Sequence, residues 1–236
     1  MQAVVLAAGA GTRLRPLTLD TPKAMILING KPMLQIILEQ LKSVGVTEVV
    51  IVVHYLKDRI INYFGTGEKV GMKLTYVEQK EMRGSADAVL CAAKHITDAR
   101  FLVVACDSLF PTGQLKALLA VSEQGALTVC KVADARQYGV IAHDGKLVTR
   151  IVEKSANPPT NLANTSIYLF PKSIFEACAA IPPHPVSKEF LLTDAIQYLI
   201  DRGTPFAFRE VSDWLDIGTP AQYAQAQELA KKIKLT

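Results

Sequence analysis

The chain has 236 residues, 50% hydrophobic and 20% charged, enough apolar side chain to bury a sizeable core in one large domain; this excludes an intrinsically disordered protein. Its 26 Lys and Arg against 22 Asp and Glu leave a net charge of +4, too mild for a dedicated nucleic-acid binder but compatible with a small anionic ligand. No apolar run approaches the ~18 residues of a membrane span, no signal-like leader opens the chain, and the four cysteines form no C-x-x-C pair, so the expectation is a cytoplasmic protein with free thiols that binds neither nucleic acid nor membrane.

Ala3 to Ala8 is a continuous apolar run, the pattern of a strand covered on both faces in a parallel sheet, and a loop is expected from Gly9. Pro32 suits the first turn of a helix whose apolar positions Met33, Ile36, Ile37, Leu41 and Val44 recur at helical spacing before Gly45. Glu48 to Val53 reads as a second buried strand, Lys57 to Phe64 as a helix and Lys73 to Val77 as a strand. Ser85 is expected to cap a helix running to about His95, ahead of a buried strand over Phe101 to Ala105. This alternation predicts a Rossmann-like, doubly wound α/β sheet with helices on both faces and right-handed crossovers, binding ligands beyond the carboxyl ends of its strands.

From Ala126 the rhythm changes. Leu127 to Val132, Val140 to Ala142, Leu147 to Val152 and Leu162 to Phe170 are strand-like with little helix between them, which predicts antiparallel pieces added to the first sheet. Helices are expected again over Ser173 to Ala180, Glu189 to Asp201 and Pro220 to Lys232, the last running into a basic end at Lys231, Lys232 and Lys234. One domain over 1–236 is expected, with halves at 1–125 and 126–236.

The strongest local signal is Leu6-Ala7-Ala8-Gly9-Ala10-Gly11-Thr12-Arg13-Leu14-Arg15-Pro16-Leu17-Thr18, a buried strand opening into a Gly-rich turn with two arginines. Glycine lets backbone amides approach a phosphate closely, and Arg supplies planar, permanently charged donors, so this is a phosphate cradle by composition. Arg13, Arg15, Lys23 and Lys31 stand against the single acid Asp20 in the same stretch. A Walker A loop is absent, and Leu14 replaces the third glycine of a dinucleotide fingerprint. On Gly9-x-Gly11 alone, an ordinary turn with surface arginines is an equal reading. The four histidines form no H-x-x-x-H pair and no G-x-S-x-G elbow exists, which removes hydrolase readings.

Thr21-Pro22-Lys23-Ala24-Met25 and Gly30-Lys31-Pro32-Met33 complete a run that resembles the first signature of the sugar-1-phosphate nucleotidyltransferases, L-A-x-G-x-G-T-R-L-x-P-L-T followed by P-K. The likeness continues in order through Gln79 to Ala88, Asp107, Tyr138-Gly139-Val140, Glu153-Lys154, Asn164 to Tyr168, Leu192 to Ile196 and Trp214 to Gly218. The resemblance, to glucose-1-phosphate uridylyltransferases and thymidylyltransferases, implies transfer of a nucleotidyl group from UTP or dTTP to a sugar 1-phosphate, with glucose 1-phosphate as the default. The products are a nucleotide-diphospho sugar and pyrophosphate. It also implies a nucleotide-binding half over 1–125 and an antiparallel sugar-phosphate-binding portion within 126–236.

The same resemblance assigns roles. Leu6, Ala8, Gly9, Gly11, Thr12 and Arg13 bind the nucleotide, with Arg13 on the β- and γ-phosphates and Lys23 near the α-phosphate. Asp107 and Asp216 hold Mg²⁺, and Asp107, following directly on a buried strand, is placed to project into the crevice. Gln79 occupies the base-reading position, where its amide suits the N3–H donor and O4 acceptor of uracil or thymine, and Gly84 lets a backbone group reach the same ring edge. Lys154 grips the sugar phosphate, Glu153 accepts from sugar hydroxyls, and Tyr138, Gly139 and Asn164 contact the sugar. Cys106 and Ser166 stand where the family commonly has Gly.

Arg83-Gly84-Ser85-Ala86-Asp87-Ala88 is also similar to a run of the adenylyl-transferring branch, so a purine-using enzyme is one alternative. A non-catalytic regulatory or scaffold paralogue is another. No hexapeptide repeats follow, so any homo-oligomer is expected to form through this domain.

Overall fold

In the computed structural model, which describes residues 1–233 and 235, the main elements in chain order are β1 (Gln2–Ala7), α1 (Met33–Ser43), β2 (Glu48–Val53), α2 (Lys57–Phe64), β3 (Lys73–Glu78), α3 (Ser85–Cys91), β4 (Arg100–Ala105) and α4 (Gly113–Leu119). They continue as β5 (Gly125–Lys131), β6 (Gly139–His143), β7 (Val148–Glu153), β8 (Leu162–Pro171), α5 (Ile174–Ala180), α6 (Leu192–Ile200), β9 (Phe206–Glu210) and α7 (Pro220–Leu229). Lys234, the last residue of the expected basic end, lies outside the described residues.

The nine strands form one sheet in the order β7-β6-β8-β4-β1-β2-β3, with β5 pairing both β8 and β9. β1 lies parallel between β4 and β2, in a register that sets Leu6 opposite both Ala105 and Val52. The two strands that lead into the Gly-rich loop and into Asp107 therefore end side by side, and the Cys106 amide adds one further rung by donating to the Leu6 carbonyl at 3.0 Å. β8 runs antiparallel to β4 and begins the portion where the chain's rhythm changes.

Apolar side chains on successive β1 residues alternate between two cores, as the pleat requires. Ala3, Val5 and Ala7 join α1, α2, α4 and α7 on one face, whereas Val4 meets α3, α5 and α6 on the other. Leu34, Leu38 and Leu41 of α1 are fully buried, each worth about 1.5–3 kcal/mol of transfer free energy. Gly45, at φ 86°, stops this helix in the left-handed region.

The doubly wound sheet with its antiparallel addition is as expected. Ser85, however, does not cap its helix: Gly84 occupies the N-cap, and the Ser85 hydroxyl instead accepts from the Leu192 amide at 3.0 Å, tying α3 to α6. The α-helix ends at Cys91 and continues as a 3₁₀ turn over Ala93–His95. α6 begins at Leu192, not Glu189, because Phe190 is extended against Arg83, its amide donating to the Arg83 carbonyl at 2.7 Å. Neither α4 nor β9 is evident in the sequence, where both are short. β9 is secured by its parallel pairing with β5.

Candidate active site

Two adjoining cavities open at the carboxyl ends of β1 and β4. The first, about 290 Å³, is lined by the loop residues Gly9, Gly11, Thr12 and Arg13 together with Lys23 and Asp107. The second, about 370 Å³, is lined on the antiparallel side by Tyr138, Gly139, Glu153, Lys154, Asn164 and Asp216. Leu6, Arg13 and Asp107 line both, so they mark the junction.

The loop owes its shape to Gly11, which takes φ 61° and accepts at its carbonyl from the Thr18 hydroxyl at 2.7 Å. Thr18 is fully buried, so this bond pins the loop from beneath. Arg13 is exposed and makes no ion pair among the described residues, leaving its guanidinium free for an anion. Lys23 lines the loop cavity and reaches the junction residue Asp107, its Nζ 3.4 Å from Oδ2 and its side chain 12% exposed. Lys31 is turned away to Glu39 at 2.6 Å, and Arg15 lines neither cavity.

Asp216 reaches Asp107 through a short antiparallel ribbon in which Leu215–Asp216 pairs with Ser108–Leu109, and the Ile217 amide donates to the Asp107 carbonyl at 2.8 Å. Burial, then the neighbouring Asp107 charge, raises the Asp216 carboxyl above its ordinary value. Among the described residues no cluster of three or more His, Cys, Asp or Glu gathers, so the protein offers this carboxylate pair alone. Such a donor set fits Mg²⁺, which takes one or two carboxylates and completes its shell with water and substrate phosphates.

Gly139 brings the far wall close. A Cβ there would stand 2.6 Å from Glu153 Oε2, so only glycine lets this carboxylate approach the strand. Glu153 accepts from the Thr193 hydroxyl at 3.3 Å, and burial raises its carboxyl. Lys154 is exposed, holds φ 43°, and donates its amide to the Tyr138 carbonyl at 3.1 Å. The Asn164 amide spans a bulge in β8, donating to the Tyr168 hydroxyl at 2.7 Å and accepting from the Ser166 amide at 3.1 Å.

Gln79, Gly84 and Ala8 line neither cavity. Ala8 is buried in the core. Gln79 is hydrogen-bonded to Gly84, whose chain neighbour Ser85 lines the larger cavity and which stands two residues after Met82 of the loop cavity. A Cβ at Gly84 would meet the Phe190 carbonyl at 2.5 Å, so packing already demands glycine there. Sequence reading passed over Thr193, Trp214 and Gln222 as individual contacts, although all three line the larger cavity. The first two lie inside stretches that carry the resemblance, whereas Gln222, which accepts from the Gly218 amide at 3.0 Å, has no local signal.

Of six non-glycine residues at positive φ among the described residues, two, Lys154 and Ser166, line the larger cavity, and Ser166 at φ 59° holds a conformation that costs an L-residue about 1 kcal/mol. Ser166→Gly should therefore melt about 2–4 °C higher by calorimetry. An equal or lower midpoint would show that the hydroxyl stabilises the bulge by more than the backbone conformation costs.

The carboxyl ends of the doubly wound sheet thus carry a pinned Gly-rich loop, a carboxylate pair and a second cavity lined by both acidic and basic side chains. A family model described as nucleotidyl transferase matches residues 2–233, and the chain belongs to that family. It is 37% identical over 97% of its length to the UTP–glucose-1-phosphate uridylyltransferase AglF of Haloferax volcanii, covering 96% of that protein. It is 33% identical over 97% of its length to the glucose-1-phosphate thymidylyltransferase of Streptomyces griseus, covering 66% of it. The solved UDP-glucose pyrophosphorylase complexed with UDP-glucose superposes with a TM-score of 0.87 at 26% identity, with 98% of each chain covered. Within the family the chain is thus a sugar-1-phosphate nucleotidyltransferase.

Proposed function

We propose that this chain transfers a uridylyl or thymidylyl group to glucose 1-phosphate or a close analogue. The observation that carries this reading is the pair of cavities meeting at Leu6, Arg13 and Asp107, one walled by an anion loop and the other by sugar-sized polar groups. A sugar phosphate is already anionic, so the transfer needs alignment and charge more than a general base.

In the reaction a phosphate oxygen of the sugar 1-phosphate bonds to the α-phosphorus as the α–β bridging bond breaks, and pyrophosphate leaves. Arg13 stabilises the departing pyrophosphate, and Lys23 stabilises the negative charge at the α-phosphate. Lys154 holds the phosphate of the second substrate, while Glu153 and Asn164 orient its hydroxyls. Asp107 and Asp216 would hold Mg²⁺, which when bound supplies charge neutralisation at the phosphate oxygens. Four unpaired cysteines suit a reducing cytoplasm, and among the described residues no helix is long and apolar enough to cross a membrane.

A pyrophosphate-release assay should cross five nucleoside triphosphates with the 1-phosphates of glucose, N-acetylglucosamine and mannose in Mg²⁺. UTP or dTTP with glucose 1-phosphate is expected to give the highest kcat/KM. No release in any well would overturn the reading in favour of a non-catalytic scaffold.

A further inference from the structure

We propose that Asp87 is a positioning residue that fixes the polarity of the Gln79 amide, so that the enzyme presents an acceptor, and no donor, to the base. The inference rests on the reading above, in which Gln79 meets the base.

Gln79 is 4% exposed and Asp87 8%. Gln79 Nε2 donates to the Gly84 carbonyl at 3.0 Å and to Asp87 Oδ2 at 2.9 Å. An amide nitrogen carries two hydrogens, and both are used. Both partners are pure acceptors, since a carbonyl and an ionised carboxylate have no hydrogen to give. Rotating the amide by half a turn would set Oε1 against two oxygens and lose both bonds, so the orientation is forced.

Asp87 is itself held. Arg83 donates to its Oδ1 from Nε at 3.1 Å and from Nη2 at 2.5 Å, a two-pronged grip from four residues earlier that keeps the carboxylate aimed. Arg83 in turn lies over the Phe190 ring, 5.7 Å from its centroid. What remains of Gln79 is Oε1, which receives no hydrogen bond from any described residue and is not among the sealed, unpartnered atoms. It is thus an acceptor left without a partner, on a side chain tied to Gly84, whose chain neighbour Ser85 lines the larger cavity.

The base must then bring an N–H to that oxygen. N3–H of uracil or thymine does so, and N1–H of guanine would as well. Cytosine N3 and adenine N1 carry lone pairs and are repelled where Oε1 faces that ring nitrogen; their amino groups reach Oε1 only if the ring is placed differently. The O4 of a pyrimidine must find its donor elsewhere, because Gln79 has none left. The R-G-S-A-D-A run, similar in sequence to the adenylyl branch, thus acts against ATP through its own aspartate.

The test measures binding of UTP and CTP by calorimetry, and pyrophosphate release with each, in wild type, Asp87→Asn and Arg83→Met. Wild type should prefer UTP over CTP by ~100-fold or more. In Asp87→Asn the new amide can donate to Gln79 Oε1, which frees the Gln79 nitrogen to face the base; the ratio should fall below ~10-fold with CTP improving, while KM for the sugar phosphate holds. Arg83→Met, at an exposed position, should move the ratio the same way by about 3-fold and decides the matter if Asp87→Asn does not fold. A folded Asp87→Asn with the wild-type ratio, or a wild type that binds CTP as tightly as UTP, would overturn the lock. Selective UTP binding without turnover in any well would leave the lock standing and defeat the transferase reading; equal turnover with UTP and CTP would do the reverse.

Discussion

Asp216→Asn is expected to melt at a higher temperature than wild type in EDTA while losing on the order of 10³-fold in kcat. The folded chain raises the Asp216 carboxyl above 3.8 because burial and the Asp107 charge both disfavour its ionised form. The folded state therefore keeps this proton to higher pH than the unfolded state does, and the ionised group costs stability at neutral pH. The cost is fully present above the raised folded value and disappears once pH falls below the ordinary carboxylate value. A melting series should accordingly show a gap between variant and wild type at pH 8 that closes towards about pH 4. Mg²⁺ should raise the wild-type midpoint more than that of the variant, since only the wild type gains a counter-charge for two carboxylates. A variant that melts lower than wild type at pH 8, or one retaining normal turnover, would remove Asp216 from this role.

Lys23→Met should behave in the opposite sense on stability and in the same sense on rate. The lysine Nζ stands 3.4 Å from Asp107 and its charge also lowers the cost of ionising Asp216, so its removal leaves two acids facing each other without their nearest cation. The midpoint in EDTA is expected to fall, and kcat to drop by about 10²–10³-fold through loss of charge stabilisation at the α-phosphate. KM for the sugar phosphate should change far less, because Lys154 lies on the other wall. Steady-state kinetics with both substrates varied checks this split. A pure KM effect would make Lys23 a ground-state binding residue instead.

Much of this architecture is legible locally. The apolar run ending at Ala8, the helical spacing from Met33 to Val44 and the change of rhythm at Ala126 each follow from side-chain periodicity, and they appear as β1 (to Ala7), α1 (to Ser43) and the antiparallel strands that follow. The Gly-rich loop is legible for the same reason: Gly11, Thr18 and Arg13 lie within one short segment, so their cooperation needs no long-range folding. α4 and β9 escape such reading because a seven-residue helix and a five-residue strand carry too few periods, and packing alone decides them.

The site divides along the same line. The amino-acid sequence alone determines which residue types are available: a phosphate loop, a lysine after Pro22, and isolated acids at 107, 153 and 216. Only the tertiary structure decides that Asp216 is brought to Asp107 by a two-residue ribbon, that Glu153 closes on Gly139, and that Gln79 spends both amide hydrogens on Gly84 and Asp87. Short-range periodicity specifies each strand and helix, but sheet register and burial set the distances between segments, and those distances turn scattered acids and amides into a charged, oriented site.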